Sequence, residues 1–268
     1  MLISATDIIK KTLSLYQKNF KTFLPYLLML FTVTGILTII QTITGPLSVV
    51  TLFYGYDLFT LVYFVLIIAS IIFTIWFSIA MVKMIIKIYH GEAVLEPKIE
   101  LQNSKHLIIP AFLISILVGA IVIFGTILLI IPGIFLGVLL SFSYYAVILD
   151  EHKIGQSLKT SSNLVKNRWW ATFWRLFVPA LFFTIILLII QGIINIPTEI
   201  IFNNLQSDSY LHIFLLTIFS IIYVLIGVFF TPLTTIPGII LYEELKKTPF
   251  IKAKKKSKEE VPQELPKL

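Results

Sequence analysis

The stretch HLIIPAFLISILVGAIVIFGTILLIIPGIFLGVLLSFSYYAVIL, His106 to Leu149, holds no Asp, Glu, Lys or Arg. As a single helix it would run for about 66 Å, more than twice the ~30 Å of hydrocarbon that a membrane span must cross. The break falls at IIPG, Ile130 to Gly133, where Pro and Gly stand together as a turn signal. Dividing the stretch there yields two spans, near 107–130 and 133–149, and makes the total even. Four other intervals free of charged residues, 22–56, 58–82, 176–198 and 209–242, give spans near 23–43, 58–82, 174–195 and 211–233. The fold class read from this pattern is all-α: a polytopic membrane protein of six transmembrane helices with interfacial amphipathic helices.

Composition agrees. Of 268 residues 57% are hydrophobic and 13% charged, against roughly a quarter charged in soluble domains. There is no cysteine, which excludes disulfides, thiolate metal sites and cysteine nucleophiles. The first 22 residues spread four lysines through a periodic pattern, unlike a cleaved signal peptide, and are read as retained.

The charges are ordered along the chain. Segments 1–22, 83–106, 150–175 and 246–268 carry four, four, five and eight Lys or Arg, which accounts for all 21. The alternate connections carry Asp57, Glu199 and Asp208 instead. Cations collect on cytoplasmic flanks, so both termini are expected in the cytoplasm and the protein in the cell (inner) membrane. The net charge of +7 then reflects topology, and nucleic acid is not an expected partner. The domain reading is a transmembrane domain over 1–245 and a disordered polybasic tail over 246–268, whose KKTPFIKAKKKSK stretch suits an anionic leaflet.

Two segments are amphipathic. Over 153–169 a helical wheel gathers Ile154, Leu158, Ser161, Val165 and Trp169 on one face and Gln156, Lys159, Asn163, Lys166 and Asn167 opposite. Such a helix lies against lipid headgroups or the ends of neighbouring helices. Lys159, Lys166 and Arg168 are the candidate contacts to anionic headgroups, with Trp169, Trp170 and Trp174 as belt residues at the membrane boundary. The segment 4–21 behaves alike, and Ser4 with Asp7 is a capping signal for its start. KTLSLYQKN, Lys11 to Asn19, also aligns without gaps to KTSSNLVKN, Lys159 to Asn167, and a polar stretch from Ile99 feeds a third apolar helix. The expected architecture is therefore three parallel repeats of one interfacial helix plus one transmembrane hairpin.

Constellations for chemistry are sparse. His90, His106, His152 and His212 have no metal-site spacing and no HExxH, so neither a metal nor a cofactor is expected. No span carries a charge of the kind that marks coupled transport. Gln41, Gln191 and Asn195, near the outer ends, are the candidates for a polar cavity. Asp150 and Glu151 beside His152 could form an acid–base cluster, but at a helix exit they read as solvated charges. No nucleophile elbow or phosphate loop is present, and no catalytic residue is assigned.

IPGIFLGVLLSFSYYAVILDEHKIGQSLKTSSNLVKNRWWATF, from Ile131, with IPGIILYEELKK, from Ile236, resembles the membrane domain beside bacterial glycerophosphodiester phosphodiesterases and its stand-alone polytopic relatives. The shared features are the turn at Ile131 to Gly133, the acidic residues Asp150 and Glu151, and the serine- and lysine-bearing interfacial helix at Ser162 to Lys166. The resemblance implies a membrane module and transfers no catalysis, because in the fused relatives a separate domain carries it. The expected function is a non-enzymatic module that organises lipid or a protein partner. A transporter or permease component is the second reading, and a membrane-embedded lipid enzyme the third.

Overall fold

The computed structural model describes residues 2–44, 58–203 and 210–248. Every described element is helical. In chain order they are α1 (Ala5–Lys18), α2 (Phe20–Thr44), α3 (Leu58–His90), α4 (Pro97–Asn103), a 3₁₀ turn (Lys105–Leu107), α5 (Ile108–Leu128), α6 (Ile130–Leu140), α7 (Ser143–Leu149), α8 (Ile154–Val165), α9 (Trp169–Asn203) and α10 (Tyr210–Lys247). Six stretches are long and apolar enough to cross a membrane, with α6 and α7 together making the fourth. The protein is an all-α polytopic membrane protein. A short helix is followed by two spans three times over, beginning at α1, α4 and α8.

The α1 start follows the sequence signal: the Ser4 hydroxyl accepts from the Asp7 amide at 3.1 Å and bonds the Asp7 carboxylate at 2.6 Å. The α1 and α8 helices end at Lys18 and Val165, with Asn19 and Lys166 as their C-caps, short of the expected 21 and 169, and α9 already begins at Trp169. At the other end, α10 continues to Lys247 through Pro232 and Pro237, well beyond the expected 233. Prolines are tolerated inside membrane helices where surrounding groups satisfy the freed carbonyls. The expected tail, 246–268, lies outside the described residues from 249 onward.

The reversal between the third and fourth spans sits at Leu129, one residue before the expected IIPG turn. Leu129 is extended (φ −163°, ψ 143°), and Pro132 and Gly133 fall in the first turn of α6, where proline's missing N–H costs nothing. A side chain on Gly133 would come within 2.8 Å of the Thr126 amide nitrogen, and one on Gly125 within 3.1 Å of Gly133 Cα. Only glycine lets α5 and α6 approach so closely.

The fourth span is not continuous, as 133–149 implied. It breaks between Leu140 and Ser143. Ser161, buried on the apolar face of α8, closes the break: its hydroxyl donates to the Leu139 carbonyl (2.8 Å) and accepts the Phe142 amide (3.1 Å). An orphaned amide and carbonyl in hydrocarbon cost several kcal/mol, so this side chain makes the break tenable. It also seats α8 against α6 and α7.

Burial is concentrated at one end. Ile8, Tyr26, Ile85, Phe142, Ile239 and Tyr242 form a closed core where α1, the start of α2 and the ends of α3, α7 and α10 meet. Towards the opposite end the helices turn their side chains outward, with Ile131 80% exposed and Tyr210 93%.

Candidate functional site

The charged residues gather at the end that holds the core. The second span of each unit terminates there in polar residues: Lys83, Lys87, Tyr89 and His90 on α3, Asp150 and Glu151 after α7, and Tyr242 to Lys247 on α10. These chain segments interlock. Asp150 accepts from the Tyr242 hydroxyl at 2.5 Å and from Lys246 Nζ at 2.7 Å. Glu243 lies 3.2 Å from His90 Nε2 and 3.7 Å from Lys246. Tyr89 donates to Glu244 at 3.0 Å, with Lys247 and Lys11 at 3.9 and 4.0 Å. Beside this cluster Glu151 meets Lys83 (3.3 Å) and His106 (3.4 Å), and Glu100 of α4 meets Lys87 at 2.5 Å.

The expectation of solvated charges at the helix exit holds for Glu151, whose side chain is 55% exposed, and is corrected for Asp150. The Glu100 side chain is 2% exposed, that of Glu243 11% and that of Asp150 18%. Three helix ends at one level bury what one helix end would leave in water. Each carboxylate has a cation or phenol within reach, which offsets its desolvation. Asp150, Glu151 and His152 do not form a cluster, since His152 Nδ1 turns instead to the Thr160 hydroxyl at 3.2 Å. Burial alone would raise the Glu151 pKa, but the hydrogen bonds and charges of Lys83 and His106 outweigh it and hold the carboxyl below its ordinary value. Glu151 also has φ 51°, the left-handed region that side chains rarely adopt.

The proposed headgroup contacts separate into two kinds. Lys159 and Lys166 are exposed, as are Trp170 and Trp174. Trp169 is turned inward, stacked on Phe135 and Phe173 and donating its indole N–H to the Phe135 carbonyl at 3.1 Å. Arg168 is engaged mainly by backbone: it donates to the carbonyls of Leu164 (2.8 Å), Leu245 (2.7 Å) and Thr248 (2.6 Å), and to the Thr248 hydroxyl (3.1 Å), and so caps the end of α10. Arg175 acts likewise on Leu2, Ile3 and Ala171. The chain has 19 lysines and two arginines, and both arginines are backbone clamps. That ratio was the available signal, because a planar fork of donors suits several carbonyls at once.

Gln41 on α2 and the pair Gln191 and Asn195 on α9 are not brought to a common cavity. Helix α10 packs against both α2 and α9, Gln41 and Asn195 are exposed, and the Gln191 carbonyl accepts from Tyr223 at 3.0 Å. The cavities at the charged end lie elsewhere. One of about 540 Å³ is bounded by Thr22, Tyr26, Glu92 and Glu96; another of about 540 Å³ lies between α5 and the start of α8. Among the described residues no three His, Asp or Glu side chains are grouped to hold a metal ion.

The chain matches no family model, no curated protein and no solved structure.

Proposed function

We propose that the protein is a non-enzymatic membrane module that organises anionic lipid at its charged end, which faces the cytoplasm of a cell-membrane protein with both termini inside. The observation that carries this reading is the division of the cations. The carboxylates of the interlocked cluster are matched internally, while Lys10, Lys18, Lys21, Lys98, Lys105, Lys159 and Lys166 are exposed and make no ion pair among the described residues. A neutralised rigid centre surrounded by free lysines, with Trp170 and Trp174 beside it, is suited to adhere to a bed of phosphate headgroups. The resemblance to phosphodiesterase-associated membrane domains is consistent with a module that serves a separate catalytic partner.

The test uses purified protein in zwitterionic nanodiscs doped with phosphatidylglycerol, scored for enrichment of that lipid around the protein. Replacing Lys159 and Lys166 by Gln, with Arg168 left intact, is expected to lower the enrichment about 5-fold or more at low salt, since each lysine near an anionic surface contributes roughly 1 kcal/mol. Unchanged enrichment at low salt would sink the reading.

A further inference from the structure

We infer that the first turn of α5 is the seat of one diacyl phospholipid, held with its phosphodiester at the charged end and its two chains on either side of that turn. This deepens the lipid-organising reading and rests on it.

Two cavities carry the inference. The first, of about 540 Å³, has a polar mouth made by His106, Glu151, His152 and Lys153 and an apolar floor that includes Ile109, Leu113 and Val147. The second, of about 500 Å³, is a wholly apolar groove between α3 and α5, walled by Ile68, Ile71, Ile72, Ile75 and Phe112. They share Ile109, whose side chain is 70% exposed and stands as a ridge between them. The residues Ile68 to Ile75 represent about 10 Å of helix, so the groove runs along the span for about a third of the hydrocarbon thickness. A polar mouth over one apolar floor, with a second apolar groove across the Ile109 ridge, suits a headgroup above two acyl chains.

The charge at the mouth selects the headgroup. Glu151 is already matched by Lys83 and His106, and its left-handed backbone fixes it there. Lys153 is exposed and makes no ion pair among the described residues, which leaves the mouth with an excess of positive charge. The first turn of α8 adds donors, because Lys153 at its N-cap supplies no side-chain cap and the leading amides stay open. The entrance is open at Gly155, where a Cβ would meet nothing within 4 Å. A phosphodiester meets these groups, and the apolar channels exclude a water-soluble phosphate as the natural occupant. The groove between α3 and α5 is too apolar to hold water without loss.

The experiment is a native mass-spectrometric titration of the delipidated full chain in detergent with dioleoylphosphatidylglycerol. A discrete first lipid is expected to bind before the remainder. Ile109→Trp, which fills the junction of the two channels, is expected to remove that first step. Lys153→Gln, a change at an exposed position that leaves the packing untouched, is expected to weaken it about 5-fold. Glycerophosphoglycerol, which has the headgroup without the chains, is expected not to compete. Equal first-step binding in wild type and both variants overturns the seat, as does effective competition by the chainless compound, which would mark a free phosphate site. If the Lys159 and Lys166 substitutions deplete lipid while Ile109→Trp and Lys153→Gln do not, the module reading stands and the seat falls. If the first lipid is lost only in Ile109→Trp and Lys153→Gln, the seat stands and the lysine collar is not what recruits lipid.

Discussion

The charged half of the bundle and its far half are built from the same apolar residues, yet one is closed and the other open. At the charged end Ile8, Ile85, Phe142 and Ile239 are completely buried, and carboxylates, phenols and ammonium groups tie α3, α7 and α10 to one another. In the far half Phe124, Ile127, Ile189 and Ile196 point outward. The difference follows from the solvent. Lipid tails are as apolar as leucine, so no hydrophobic force closes helices within the bilayer; small residues and polar contacts must do it. The far half offers few of these: the Gly125–Gly133 approach between α5 and α6, and Tyr223 donating to Gln191 between α9 and α10. The charged half has a network.

The comparison is broken most severely at Lys87. Its partner Glu100 is almost wholly buried, so Lys87→Met leaves an uncompensated carboxylate inside the protein and is expected to cost about 3–5 kcal/mol in detergent unfolding. Adding Glu100→Leu should recover most of the loss; a double variant as unstable as the single one would show that the pair is not what fails. Next in size is a matched pair of truncations. Ile239→Ala, in the closed half, is expected to cost about 2–5 kcal/mol, whereas Ile189→Ala, 57% exposed in the open half, should stay within about 0.5 kcal/mol. A comparable cost at Ile189 would mean that protein, and not lipid, covers that face.

How much of this was legible in the sequence depends on the range of the interaction. Six spans follow from charge-free intervals, because desolvating a charge is expensive wherever it occurs. The Ser4–Asp7 cap is local and was readable. The break at 140–143 was not, since the group that makes it tenable is Ser161, about twenty residues away on another helix. Hydropathy registers composition and is blind to such a bond. Ser161 itself sat on the apolar face of the wheel, an anomaly that hinted at a buried partner. Arg168 read as a headgroup contact because surface arginine and capping arginine look alike until the end of α10 is placed against it. Asp150 read as solvated because one helix exit was considered at a time.

The smallest expected effect concerns the two turns that close α3 and α7. Gly91 has φ 74°, and the bonds Gly91 N–H to Ile88 and Glu92 N–H to Lys87 complete a helix C-cap around it. After α7 the left-handed residue is Glu151 (φ 51°), with His152 N–H reaching the Ala146 carbonyl. Glu151 thus stores about 1–2 kcal/mol of backbone strain that glycine would not, offset by its paired contacts: the Lys83 ion pair, worth about 0.2–1 kcal/mol, and a hydrogen bond to His106. Its carboxyl pKa is lowered in the fold, so the pairs stabilise above the ordinary value near 4.5 and are lost as pH falls through the lowered one. Glu151→Gln keeps the strain and loses the pairs; it should melt slightly below wild type at pH 7.5 and together with it once the pH is well below that range. Glu151→Gly loses both, so it should melt close to wild type at pH 7.5 and above it in acid. A glycine variant less stable than wild type at both pH values would refute the strain account and leave the carboxylate as the whole reason for a non-glycine residue at this turn.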